Sequence, residues 1–165
     1  MPYLIRKLEK KIWLDIVVAK EIGGLQADAL KNFKTTENKL SVYQIENIDD
    51  RTLVIRVLAA IAAGRDKPGE IDYAIFDSMI LKKVGINVEQ IEGDTADQEI
   101  NKLHLDLTQL KAEQILFLAE YVQKEGILER ISKREITQSL TTGLEKGKLL
   151  KSKVNLKLLN KLRIS

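Results

Sequence analysis

His104 is the single histidine in 165 residues. With Asn101 and Asp106 beside it, the spacing suggests a general base. An imidazole next to a carboxylate titrates near neutrality and can carry a proton between reacting atoms. His104 and Asp106 share a face if the segment is a strand, but not if it is a helix. No GxSxG elbow supplies a nucleophile, and the chain has no cysteine. A histidine packed beside leucines explains the same letters more simply, because single-residue matches are mostly coincidence.

Two carboxylates invite a second chemistry. Glu46 follows the apolar run Leu40–Ile45, and Asp77 follows Ile71–Phe76. In a parallel sheet both would lie beyond the carboxyl ends of strands, where one or two carboxylates plus waters can hold Mg²⁺. Both also stand where turn and cap residues belong. That reading is adopted, so no metal and no cofactor is expected. The glycines of Gly64–Gly69 and Gly143–Lys148 do not form a phosphate loop. No residue is therefore assigned to catalysis; His104, Asp106 and Asp77 are the nearest approaches to it.

The third feature is the basic tail. Lys146, Lys148, Lys151, Lys153, Lys157, Lys161 and Arg163 interleave with leucines, and no acidic residue follows Glu145. Removing these seven from the 27 basic residues leaves 20 against 24 acidic ones in the body. The body is thus mildly acidic, unlike a uniformly basic nucleic-acid-binding domain. As a nucleic-acid arm the seven cations would give a salt slope of roughly −6 on duplex DNA. No aromatic residue is there to stack on bases. As a membrane-surface helix the segment lacks tryptophan and phenylalanine. As a docking segment, its Leu, Val and Ile residues from Leu149 to Ile164 would pack on this body or on a partner, with lysines at the rim.

The elements that must position these residues are legible in part. The stretch Asp49–Asp77 reads as cap, apolar helix (Thr52–Ala63, broken by Arg56), turn and strand. Gly64 stands where a helix stops. With Leu40–Ile45 in front, this predicts a βαβ unit with two parallel central strands. Tyr3-Leu4-Ile5 predicts a strand, and Ile12–Val18 is a second apolar run with β-branched residues. Leu25–Phe33 has a short helical face. Asp77–Gly85 is a capped short helix, and Ile86–Ile91 an edge strand. Thr95–Gln98 matches a capping box. Strand and helix compete over Leu103–Leu107. Leu110–Lys124 is the second long helix, and Leu128–Leu144 reads as two short helices with a joint near Thr137 or Ser139. The tail fits strand and helix spacing equally.

Length and composition permit one domain. At this size roughly 70% of the unfolded chain's surface is buried, so no disulfide or metal staple is needed. The apolar share of 44% and charged share of 31% are ordinary for a globular protein. The first residues lack the apolar core of a signal peptide, and no run approaches the ~20 residues that span a bilayer. We expect an α/β or α+β fold, with a mixed sheet around the βαβ unit and a mainly helical C-terminal third. Residues 1–145 would form one domain, and 146–165 a docked tail.

Motif content attaches the chain to no family. The expected function is a non-enzymatic protein-interaction module, an accessory or regulatory subunit of a bacterial-type cytoplasmic complex that docks through the tail. It would bind a protein partner or a second copy of itself, and no membrane. The alternative is a nucleic-acid-associated protein using the tail as an arm. The third is a small hydrolase or transferase built on His104, Asp106 and Asp77.

Overall fold

The computed structural model describes residues 2–163. Met1, Ile164 and Ser165 lie outside the described residues, so Ile164 drops out of the tail expectation. The fold is α+β. The residues divide into two compact units. The first holds the chain up to Ile48 with Asp72–Gln90 and Leu105–Arg130; the second holds Asp49–Ile71, Ile91–His104 and the chain from Ile131 onward.

A six-stranded sheet belongs to the first unit. Its strands are β1 (Tyr3–Leu8), β2 (Leu40–Ile45), β3 (Ile71–Asp77), β4 (Asn87–Gln90), β5 (His104–Thr108) and β6 (Ile127–Ile131). Their spatial order is β4-β5-β2-β1-β3-β6. Tyr3 pairs with Ile45 on one side and Asp77 on the other, both antiparallel. It follows that β2 and β3 are parallel to each other, as expected of strands on either side of a helix in the chain. They are not neighbours, however, because β1 is inserted between them. β4 pairs antiparallel with β5 at the sheet edge.

Alternation along the strands sorts their side chains. Leu4, Leu8, Leu40, Val42, Ala74, Phe76, Leu105 and Leu107 join one core cluster. Ile5, Ile45, Tyr73 and Ile75, out of phase with these, are buried as well. Helices α1 (Ile16–Ile22), α3 (Met79–Lys83) and α5 (Ala112–Glu125) complete the first unit. α5 supplies Leu118, Ala119 and Val122 to the cluster, and a 3₁₀ segment at Ala27–Phe33 supplies Ala29 and Phe33. Trp13 packs at the cluster's edge, with the ammonium groups of Lys10 and Lys31 each 5.3 Å from its ring centre.

Two expectations need correction here. The run Ile12–Val18 is not extended: a 3₁₀ turn at Lys11–Leu14 leads into α1. The Asp15 carboxylate accepts from the amide of Val17 at 2.8 Å and of Val18 at 3.4 Å, and Gly23 ends the helix. This cap outweighs the β-propensity of isoleucine and valine. Secondly, Leu128–Leu144 is not a helix pair but β6 followed by one continuous helix, α6 (Lys133–Glu145). Polar β6 residues are held by the neighbouring strand: Arg130 clasps Asp72 at 2.6 and 3.1 Å, and Tyr73 donates to Glu129. Gly64 directly follows the C-cap Ala63, the position where a helix-stopping glycine belongs.

In the second unit α2 (Arg51–Ala62) packs along α6, while α4 (Gln98–Asn101) and α7 (Leu156–Leu162) complete it. Asp50 caps α2, its carboxylate accepting from the Leu53 amide at 2.9 Å. Ala59, Ala60, Ala62 and Ala63 are all buried, and such small side chains allow close approach. Asp97, not Thr95, is the cap of α4. Its carboxylate also takes a two-pronged hydrogen bond from Arg56, at 2.6 and 2.8 Å, with the Asp97 side chain 1% exposed. Arg56 is thus the counter-ion of a buried acid.

Candidate functional site

The walls of the candidate site come from two helices at regular helical spacing. Thr52, Ile55, Arg56 and Ala59 on α2 face Glu135, Gln138, Ser139, Thr142 and Gly143 on α6. Positions three and four apart share a helix face. On α6 the buried Ile136 and Leu140 take the opposite side. Between the walls lies a cavity of about 400 Å³, closed at one end by Lys146, Lys148 and Leu149. That volume falls in the range of small-molecule sites.

Each end of α6 is fixed by local chemistry. At its start, Ser132 and Glu135 form a reciprocal capping box, and Arg51 donates to Glu135 at 2.7 Å. The Ser132 hydroxyl and amide, with Arg51, hold the Glu135 carboxyl down at about 2. At its end, the amide of Lys148 bonds the carbonyl of Gly143 at 2.8 Å and that of Gly147 bonds Leu144 at 3.1 Å. This is a Schellman turn, and Gly147 sits in it at φ 65°. The turn throws Leu149 back onto α6, where a side chain at position 143 would come within 2.9 Å of it. Gly143 is therefore a packing requirement.

The tail lysines separate into groups. Lys146 and Lys148 line the cavity. Lys153 pairs with Asp94, and Lys157 with Asp66 at 2.9 Å. Lys151, Lys161 and Arg163 stand exposed. The segment resolves as a 3₁₀ turn at Lys151–Lys153 and then α7, capped by Asn155. The Asn155 amide also satisfies the carbonyl of Ala63 at the end of α2, at 2.9 Å. Leu149, Val154, Leu158 and Leu159 are buried within this unit.

Residues singled out for catalysis each have a local structural engagement. Leu103–Leu107 resolves as strand β5, so His104 and Asp106 alternate onto one side of it. His104 is buried, with Nδ1 2.8 Å from the Ile91 carbonyl. Asp106 accepts from the Ser41 hydroxyl at 3.1 Å. It lines a separate cavity of about 460 Å³ in the first unit with Arg6, Lys34, Lys39 and Glu37. There Arg6 donates to the carbonyls of Asn32 and Ser41, and burial brings its pKa down to about 10. Asn101 knits the Gly93–Thr95 loop by bonds to Thr95. Asp77 accepts from the Met79 amide at 2.8 Å, and Glu46 from Gln44 at 3.2 Å. Among the described residues no group of three or more histidine, aspartate or glutamate side chains is placed to hold a metal ion. No described helix is long and apolar enough to cross a membrane.

The sequence reading missed the cleft because it broke α6 at the polar residues that form the wall. The signal was present: Ser132 and Glu135 form a cap, after which polar residues recur at helical spacing opposite Ile136 and Leu140. Compared with known proteins, the chain matches no family model, no curated protein and no solved structure.

Proposed function

We propose that this chain is a non-enzymatic protein-interaction module, an accessory or regulatory subunit working in the cytoplasm. It meets a protein partner through the apolar surface of residues 12–22. The observation that carries this reading is the exposure of Ile12, Ile16, Val17 and Ile22, at 57%, 43%, 61% and 59%. Single exposed apolar residues are ordinary, but four within one short segment are a concentration of uncovered apolar side chains of the kind a partner covers. The tail is the lesser candidate for this contact, since most of its apolar side chains are already buried in the second unit.

The test uses the full chain and its native host. Val17→Glu with Ile22→Glu puts two charges on the patch while leaving the core untouched. A protein that co-purifies with the wild type should be lost with this variant. It should be retained by Lys151→Glu with Lys161→Glu, which alters only the exposed tail. Circular dichroism and sedimentation check that both variants stay folded and in the same oligomeric state. Equal recovery by the patch variant and the wild type would remove the proposal. Loss only with the tail variant would return the contact to the lysines.

A further inference from the structure

The cleft between α2 and α6 carries more hydrogen-bond donors than its own chain engages. The side chains of Thr52, Ser139, Thr142, Lys146 and Lys148 have no partner among the described residues. The other charged groups lining the cleft are already matched. Glu135 is held by Ser132 and Arg51, and Arg56 is held by Asp97. What remains is two ammonium groups at one end, hydroxyls and the Gln138 amide along the walls, and an apolar surface of Ile55, Ala59 and Leu149.

We infer that this cleft binds a small phosphate monoester whose ester group is apolar. A monoester carries roughly −1.5 to −2 charges near neutral pH and three strongly accepting oxygens. It therefore matches both Lys146 and Lys148, whereas a monocarboxylate or a sulfate ester neutralises one. Serine and threonine hydroxyls reach the remaining oxygens, and lysine serves phosphate as a point charge. The ester's apolar body lies on Ile55 and Ala59. Binding is non-covalent and involves no transfer step, and it is independent of the surface on residues 12–22.

The experiment is calorimetry on the full chain at low salt with four probes: phenyl phosphate, phenyl sulfate, phthalate and inorganic phosphate. Phenyl phosphate should bind most tightly, because it alone combines the apolar body with a dianion whose three accepting oxygens sit on one centre. Its affinity should fall from about pH 7.5 to about pH 5, as the phosphate gains its second proton near ~6. Lys146→Ala with Lys148→Ala should weaken it by about tenfold or more. Thr142→Val, of unchanged shape, should weaken it less. NMR amide shifts on titration should centre on Ser139, Thr142 and Gly143. Equal binding of phenyl sulfate, tighter binding of phthalate, indifference to the lysine substitutions in a folded variant, or shifts centred elsewhere would each overturn the assignment.

Discussion

Among the described residues, every large apolar side chain that stands exposed belongs to the first unit except Ile91, Leu150 and Leu156. The first unit builds its core on a sheet and leaves Ile12, Val17 and Ile22 in water. In the second unit the returning tail places Leu158 and Leu159 in the interior and pairs Lys153 and Lys157 with acids. A leucine count alone would choose the tail as the adhesive part. Our proposal assigns that role instead to the shorter segment around α1, because apolar surface matters for binding only where the chain itself has not covered it.

Both units also hold a buried carboxylate in an arginine fork, and here the comparison can be broken by mutation. Asp97 is 1% exposed and its partner Arg56 29%; Asp72 is 6% exposed and Arg130 49%. Removing one member of a buried pair strands the other charge, at a cost of about 3–5 kcal/mol. Arg56→Met should therefore lower stability by about that much in urea titrations. A loss below about 1 kcal/mol would mean that Asp97 is satisfied by its cap bonds to α4 alone.

Arg130→Met should cost less, about 1–2 kcal/mol, because water already screens the half-exposed guanidinium. Its signature is in the pH dependence. Burial pushes the Asp72 carboxyl up, but bonds from Arg130 and the Lys11 amide, with the charges of both residues, bring it below its ordinary 3.8. A lowered folded pKa means stability present above the unfolded value and lost as pH falls through the folded one. In the wild type this contribution should be complete above 3.8 and be lost progressively below it. With Arg130 gone this acid-dependent loss should shrink, so the cost of Arg130→Met should be largest near neutral pH and fade as pH falls below 3.8. An unchanged acid limb would show that Arg130 does not hold Asp72 in solution.

The smallest effect should come from the turn that shapes the cleft. Gly147→Ala forces a side chain into the left-handed region and should cost about 1 kcal/mol. If thermal melts show no loss, the Schellman turn is not fixing the route of the tail. The first unit has counterparts: Gly23, at φ 76°, ends α1 with the Gly24 amide on the Ala19 carbonyl at 2.9 Å, and Gly85, at φ 66°, ends α3.

Much of the architecture was legible because local signals agreed with burial. Leu40–Ile45 and Ile71–Phe76 are short, largely apolar runs bounded by polar residues, and α2 follows an aspartate cap with an apolar run. Arg56 stood out in that run, but nothing marked Asp97 as its partner, since the two are 41 residues apart. Likewise, the letters of Tyr3-Leu4-Ile5 could suggest a strand but not its place between two others. β6 escaped notice because Glu129 and Arg130 look like surface residues until the strand beside them supplies Tyr73 and Asp72. The cleft is a product of two helices far apart in sequence, each unremarkable alone.

The insertion of β1 between β2 and β3 has a consequence for how the protein is made. β1 leaves the ribosome before either flanking strand: Ile5 must wait for Tyr43 on one side and for Ile75 on the other. At ~5–20 residues per second, the interval before the second partner emerges is several seconds. For that time an apolar strand is present with one or both edges unpaired, the condition in which strands stick to other chains. Yet β1 is the first strand to have both neighbours available, because β2 must wait for β5 at His104–Thr108 and β3 for β6 at Ile127–Ile131.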